Sequence, residues 1–249
     1  KVKNELYDCK ARGKFRRDAL TPLVGDLVEF DSENLYILNI LERKNELVRP
    51  SISNVDVALI ITSVKKPDLS LYLLDKQLSS IILEHIMPVI CFTKLDLLTR
   101  DELKEFKKII KYYKKIGIKV FVNQKIKKMI RYLKGKTVVL TGQTGAGKSS
   151  LLNRLDSQLN LKTGEISDAL GRGRHTTRHT EFFLVQDILI ADTPGFSALD
   201  LNKYTKEEIR DSFVEFSNYS CEFKNCMHVR ENNCEIKRQV EKGNILKSR

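Results

Sequence analysis

Gly142-Gln143-Thr144-Gly145-Ala146-Gly147-Lys148-Ser149, with Ser150 behind it, is the stretch from which the rest of the chain can be read. It follows a short β-branched run at 137–141 and opens a helical pattern at Leu151, Leu152 and Leu155. Strand, loop and helix thus stand in the order a phosphate-binding loop requires. The glycines let backbone N–H groups close around phosphate oxygens, the helix N-terminus adds partial positive charge, and Lys148 neutralises the β and γ phosphates. Ser149 offers its hydroxyl to Mg²⁺. A chance glycine-rich turn would lack the flanking strand and helix.

Outward from this loop the same alternation continues. Residues 55–62 and 89–92 are apolar strand-like runs, and between them Leu71, Leu74, Leu78, Ile81 and Ile82 keep helical spacing. A helix through Leu103, Phe106, Ile110 and Tyr113, a strand at 118–122 and a helix at 126–133 complete the pattern, which is that of a parallel sheet with helical crossovers. On the other side, Asp192-Thr-Pro-Gly195 follows the apolar run 188–191. There a carboxylate can reach Mg²⁺ through water while the Gly195 N–H meets the γ-phosphate. Alone the tetrapeptide reads equally as a turn; paired with the phosphate loop it becomes a second nucleotide motif.

Thr93-Lys94-Leu95-Asp96 ends the run 89–92, where open α/β sheets place their ligands. It is similar to the guanine-reading Asn-Lys-x-Asp motif: a carboxylate at Asp96 accepts from both the ring N–H and the amino group of guanine, and Lys94 lies along the ring. Thr93 stands where the motif has Asn, which removes an amide able to brace the loop and predicts weaker base affinity. Taken alone, the segment reads as well as a strand end with Asp96 capping a helix. The order is the informative part, because the base-reading segment precedes the phosphate loop instead of following it.

Between the phosphate loop and Asp192 lies Gly171-Arg-Gly-Arg-His175-Thr176-Thr177-Arg-His179. Thr176 or Thr177 is placed to close over Mg²⁺ and the γ-phosphate. His175 and His179 either assist a water, contact RNA, or are solvated loop histidines. Phe196 follows Gly195, where a water-orienting Gln is common in GTPases, so slow intrinsic hydrolysis accelerated by a partner is expected.

The chain has 249 residues, with 41% hydrophobic and 31% charged, which excludes a fibrous or disordered reading. Its formal net charge of +12 suits a polyanion such as RNA. From Lys104 to Lys136 basic residues recur with almost no acid, including Lys107, Lys108, Lys111, Lys114, Lys115, Lys125, Lys127, Lys128 and Arg131. That run is either a solvated helix face or a nucleic-acid contact. No apolar run nears the roughly 20 residues of a membrane span, and residues 1–10 carry no signal-peptide core, so a cytoplasmic protein is expected. Because the sequence opens without Met, the first module is expected to be incomplete.

Residues 1–52 read as short strands near 6–11, 27–30 and 35–41, a pattern that fits a small β-barrel. Arg12, Lys14, Arg16 and Arg17 could meet RNA there, and Phe15 either stacks on a base or belongs to the barrel core. At the other end Cys221, Cys226, His228 and Cys234 give a C-x4-C-x-H-x5-C spacing, three thiolates and one imidazole for a tetrahedral structural Zn²⁺. The competing reading is a set of reduced, unpaired thiols. The five Cys, an odd number, argue against a disulfide framework. Cys9 and Cys91 read as plain core or surface residues, and His85 as a capping or packing residue.

Together these residues resemble the circularly permuted GTPase family that matures the small ribosomal subunit, often called RsgA. The resemblance spans nearly the whole chain. It is carried by residues 11–16 with Val24-Gly-Asp26, by Arg49-Pro50 and Asn54-Val-Asp56, by residues 171–177, by Asp192-Thr-Pro-Gly-Phe196 and by the Cys221 to Cys234 cluster. It implies an N-terminal OB-fold β-barrel at 1–52, a circularly permuted α/β P-loop GTPase domain at 53–200 and a C-terminal α-helical zinc-binding module at 201–249. It further implies GTP or GDP, Mg²⁺ and one structural Zn²⁺ as ligands, and the small ribosomal subunit and its rRNA as partners. A monomer is expected, with neither membrane nor DNA as partner. Besides Thr93, the chain departs from the family in offering Asn123 where a Ser-containing motif often supports the base. The alternative to a GTP-hydrolysing biogenesis factor is a nucleotide-sensing rRNA-binding factor with little turnover; an ATP-using enzyme is disfavoured by Asp96.

Overall fold

The computed structural model describes residues 5–13, 15, 20–47, 51–155, 182–191 and 201–249. Eleven strands are numbered here in chain order. The first five, β1 (Lys10–Ala11), β2 (Val28–Asp31), β3 (Tyr36–Ile40), β4 (Glu46–Leu47) and β5 (Ile52–Ser53), belong to the N-terminal module. Then come β6 (Val57–Ser63), β7 (Met87–Thr93), β8 (Lys119–Val122), β9 (Thr137–Thr141), β10 (Phe182–Val185) and β11 (Ile188–Ala191). The helices are α1 (Leu71–Leu83), α2 (Arg100–Lys115), α3 (Ile126–Leu133), α4 (Lys148–Leu155), α5 (Lys206–Asp211) and α6 (Glu235–Glu241).

One six-stranded sheet, in the order β10-β11-β9-β6-β7-β8, carries the site. It is parallel except for the edge pair β10–β11. The two central strands are β9 and β6, and all seven residues of β6 are buried, because a parallel sheet is covered on both faces. The pleat then sorts alternate residues. Ala58 and Ile60 face a cluster with Leu74, Leu78, Phe106 and Tyr113 from α1 and α2. Val57, Leu59 and Ile61 face Met129, Leu133, Leu151 and Leu152 from α3 and α4.

Local signals set the helix boundaries. Ser70 caps α1 by accepting from the Leu73 N–H at 3.2 Å. Thr99 and Glu102 form a reciprocal capping box on α2. His85, just past α1, takes a left-handed backbone (φ 55°) that ends that helix. Strand β10 has no counterpart in the sequence reading. It is a four-residue edge strand joined to β11 by Gln186-Asp187, both with positive φ (51° and 61°), as a two-residue type I′ hairpin demands. Asn-Gly would have announced that turn, and Gln-Asp does not.

In the N-terminal module β3 pairs with β1 and β2, and β4 with β5. Phe15 is 4% exposed, so its ring belongs to the core and does not offer a stacking platform. Asp26, whose motif residues looked like a family mark, ties strands of this module together. It accepts both Arg43 Nε (2.7 Å) and Nη2 (2.8 Å), the Ser53 hydroxyl (2.6 Å) and the Leu23 N–H (2.7 Å). Burial works against its charge, but these donors hold its carboxyl below the usual range. A Cβ on Gly25 would lie 2.2 Å from the Ser53 carbonyl oxygen, which is why that position admits no side chain.

The C-terminal module packs on α1 and α2. The Arg249 guanidinium meets Glu215 at 2.6 Å and Asp75 of α1 at 3.0 Å, and lies 4.5 Å from the Phe213 ring centroid. Tyr112 of α2 donates to Glu215 at 2.9 Å and Tyr113 to Asp75 at 2.7 Å. Lys203 pairs with Glu84, and the hydroxyls of Ser79 and Ser212 meet. No helix among the described residues is long and apolar enough to cross a membrane.

Candidate functional site: a nucleotide loop pair and a four-donor cluster

Loops at the C-terminal ends of three neighbouring parallel strands converge. The phosphate loop leaves β9, residues 93–97 leave β7, and residues 64–68 leave β6. Gly142 has φ 137°, and a Cβ there would lie 1.9 Å from the Ile61 carbonyl oxygen. No other residue fits without moving the central strand. Gly145 (φ 77°) and Gly147 (φ 96°) turn the backbone so that it can wrap an anion, and α4 begins at Lys148 with its N-terminus on the same loop. The loop therefore has the shape a phosphate group requires, cut from backbone that side chains would fill.

Lys148 Nζ donates to the carbonyls of Gly142 (2.6 Å) and Gln143 (2.8 Å), so the ammonium stands over the loop it serves. Burial lowers its pKa. Ser149 is buried at the start of α4, the position from which its hydroxyl would hold a divalent cation, and Ser150 beside it is exposed. Gln143 is half-buried, and Thr144 and Gly145 are exposed on the rim of the loop.

Thr93 links the loop after β7 to the phosphate loop. Its hydroxyl, 3% exposed as a residue, donates to the Ala146 carbonyl at 2.6 Å. The amide that Asn would supply is absent, and the Thr93 hydroxyl instead spans from β7 to the phosphate loop. Lys94 takes a left-handed backbone (φ 59°) and its Nζ donates to the Lys66 carbonyl, closing the third loop against the second. Asp96 lies exposed in the 3-10 turn Leu95–Leu97. The cap of α2 is Thr99, so the Asp96 carboxylate is not consumed as a helix cap. Asn123, at the end of β8, has a buried side-chain oxygen with no hydrogen-bond partner.

Asp192, Gly195, His175, Thr176, Thr177, His179 and Phe196 lie outside the described residues. Their position in the chain is fixed at one point: Asp192 directly follows β11, which runs parallel beside β9.

The second cluster is far along the chain. Cys221, Cys226, His228 and Cys234 place their donor atoms within 4.8 Å of one another. His228 Nδ1 is 3.6 Å from Cys221 Sγ and 3.3 Å from Cys234 Sγ, and the two sulfurs are 3.9 Å apart. A tetrahedron with zinc–sulfur bonds of ~2.3 Å and zinc–nitrogen bonds of ~2.0 Å has edges of about 3.5–3.8 Å, so the donors fit that metal. Glu231 gathers the N–H groups of Met227, Val229 and Arg230 at 2.7–3.0 Å, which fixes the loop that presents His228. Those hydrogen bonds bring the Glu231 carboxyl down to about 2. Sequence reasoning missed this carboxylate, because its partners are backbone N–H groups, which residue types do not announce. Cys91 is buried in the sheet core, as a plain apolar residue would be.

Comparison with known proteins agrees with this geometry. The RsgA GTPase family model matches residues 40–202, and the RsgA N-terminal domain model matches residues 1–36. The chain is 46% identical to the small ribosomal subunit biogenesis GTPase RsgA of Limosilactobacillus fermentum, over 98% of this chain and 86% of that protein. It is 45% identical to that of Enterococcus faecalis, over 98% and 85%. Among solved structures, it superposes on YloQ, a circularly permuted GTPase, with a TM-score of 0.82 at 34% identity, covering 99% of this chain and 83% of that one. On YjeQ from Thermotoga maritima the TM-score is 0.80 at 34% identity, covering 97% and 85%. With the permuted order of its loops, its shared fold and its sequence matches over nearly its full length, the chain belongs to the RsgA GTPase family.

Proposed function

We propose that this chain hydrolyses GTP as a biogenesis factor of the small ribosomal subunit, with guanine read at Asp96 and the triphosphate held by residues 142–150. The observation that carries the reading is the Thr93–Ala146 hydrogen bond, which ties the base-reading segment to the phosphate loop at one end of one sheet. Lys148 faces the β and γ phosphates, and Lys94 lies along the base. Ser149, Thr177 and, through water, Asp192 hold Mg²⁺, which supplies charge neutralisation at the phosphates. The Gly195 N–H would meet the γ-phosphate, Thr176 would join Thr177 in closing over it, and His175 is a candidate to orient a water, since Phe196 cannot. The four-donor cluster holds one structural Zn²⁺. Contact with ribosomal RNA, a monomeric state and a cytoplasmic location belong to the same reading. The family is one of GTPases, so a purely nucleotide-sensing RNA binder is not favoured.

Two measurements test this. Asp96→Asn should move preference from guanine to xanthine nucleotides, because an amide donor suits a second carbonyl; unchanged preference would remove Asp96 from the base site. Single-turnover hydrolysis should be slow alone and faster with small subunits, and a rate already fast without them would overturn the role given to the partner.

A further inference from the structure

All of the chain's net charge sits in one place. Residues 106–136 hold 12 of its 44 Lys and Arg and none of its 32 Asp and Glu, which leaves the rest of the chain with 32 of each sign and no net charge. The fold then gathers this segment around a single sheet edge. Strand β8 is the outermost strand, α2 packs beside it on one face of the sheet, and α3 packs on the other.

The arrangement costs stability, which a merely solvated face would not need to do. On α2, Lys104, Lys108, Lys111 and Lys115 follow one another at helical spacing on the exposed side, where like charges repel. Lys114 and Lys115 at least suit the C-terminal end of that helix. Helix α3 has no such excuse. It starts at Lys125 without a side-chain cap and without an acidic residue in its first turn, and it carries Lys127 and Lys128 at the positive end of its own dipole. Among the described residues, ion pairs reach only Lys108 and Lys134 of the twelve. Lys119, which opens β8, and Lys136, just before β9, stand 5.0 and 5.7 Å from the Tyr132 ring centroid, so two cations lie close to one aromatic ring.

We propose that this belt, α2, the β8 edge and α3, is an RNA-docking surface of the GTPase domain, separate from the N-terminal and zinc modules. Helix α2 alone is about 24 Å long by its 16 residues, enough to follow several phosphates. A lipid surface is the poorer fit, because the apolar residues of α2, Phe106 and Tyr113 among them, are already spent in the core and leave nothing to insert. An acidic protein would satisfy the charge but makes little use of the Tyr132 ring beside two ammonium groups, whereas a base and its flanking phosphates use both. The proposal rests on the reading that the chain's partner is ribosomal RNA.

The test is the quadruple neutralisation Lys111→Gln, Lys115→Gln, Lys127→Gln and Lys128→Gln in the full chain. Binding is measured to a fluorescent 16-base-pair RNA duplex and a single-stranded RNA of equal length across a salt series. The expected result is at least a tenfold loss of affinity near 0.1 M salt and a salt slope smaller by about 3, since each phosphate contact contributes roughly 0.7–0.9 to the slope. GTP affinity and subunit-free turnover should stay as they are, and the melting temperature should hold or rise because repulsion is relieved. If the unsubstituted chain binds RNA and the variant binds equally, the belt is wrong while the ribosomal reading stands. If neither binds, the belt falls as well. If small subunits fail to stimulate hydrolysis yet the variant still loses RNA, the biogenesis reading fails alone. Polyglutamate competing as well as RNA would overturn the choice of RNA over an acidic protein.

Discussion

The sheet domain and the C-terminal module solve the same problem by different physics. The sheet buries apolar side chains on both faces, from α1 and α2 on one and from α3 and α4 on the other. The module has four buried hydrophobic-cluster residues, Cys226, Cys234, Ile236 and Ile245, and two of these belong to the candidate four-donor cluster. Where apolar burial is that thin, order must come from directed bonds: the four donors within the module and the Arg249 ion cluster beneath it. The phosphate loop thus sits on the part that holds itself together, while the C-terminal module depends on its four donors and on charge pairs.

The largest effect should come from the metal. Structural zinc in small domains carries a binding free energy on the order of 10 kcal/mol, which is also folding free energy. Chelation, or Cys234→Ser, should unfold residues 201–249 to proteases while the sheet domain keeps its nucleotide affinity, and metal analysis of the intact chain should find one zinc. Equal loss of both parts on chelation would break the contrast.

Next is the clamp between them. Arg249 and its two carboxylates have side chains only 2–3% exposed. Arg249→Met leaves both carboxylates buried without their cation, a change worth about 3–5 kcal/mol in comparable clusters. Burial already pushes the Asp75 carboxyl up, and Arg249 is the main charge drawing it back. A raised folded pKa favours the folded state at low pH and loses that advantage as pH rises. The deficit of Arg249→Met in urea unfolding should therefore shrink as pH is lowered and grow as it is raised. A pH-independent deficit would mean that the guanidinium acts by packing on Phe213 instead.

How far these contrasts could be read beforehand depends on where the signal lives. Helix α3 and strands β9 and β11 are bounded in the structure where period and β-branching place them, because buried strands and amphipathic helices write their burial into residue type. The donor spacing of Cys221 to Cys234 was equally plain. What stayed hidden depends on partners distant in sequence. Nothing near Asp26 announces Arg43 and Ser53, nothing near Asp75 announces Arg249, and the Gln186-Asp187 turn uses residues that seldom adopt its backbone. Phe15 shows the same limit, since its basic neighbourhood leaves an exposed and a core ring equally open and only tertiary packing decides for the core.

The smallest effect, and the sharpest, concerns Thr93. The Ala146 carbonyl lies in a residue only 1% exposed and receives the Thr93 hydroxyl at 2.6 Å. Thr93→Val keeps the shape and removes the donor, leaving a buried acceptor unpaired at a cost of about 1–3 kcal/mol. Because that bond joins the base loop to the phosphate loop, part of the cost should appear as lost preorganisation, with GDP affinity down about tenfold on the scale of 1.4 kcal/mol per decade. The zinc content and the protease resistance of residues 201–249 should not change, since this bond lies inside the self-supporting domain. Thr93→Asn, which puts back the amide of the guanine-reading motif, should keep GDP affinity within a few-fold of the unsubstituted chain. If Thr93→Val binds GDP as before, the two loops are held in register by packing alone, and the link between base and phosphate recognition must be sought elsewhere along β7 and β9.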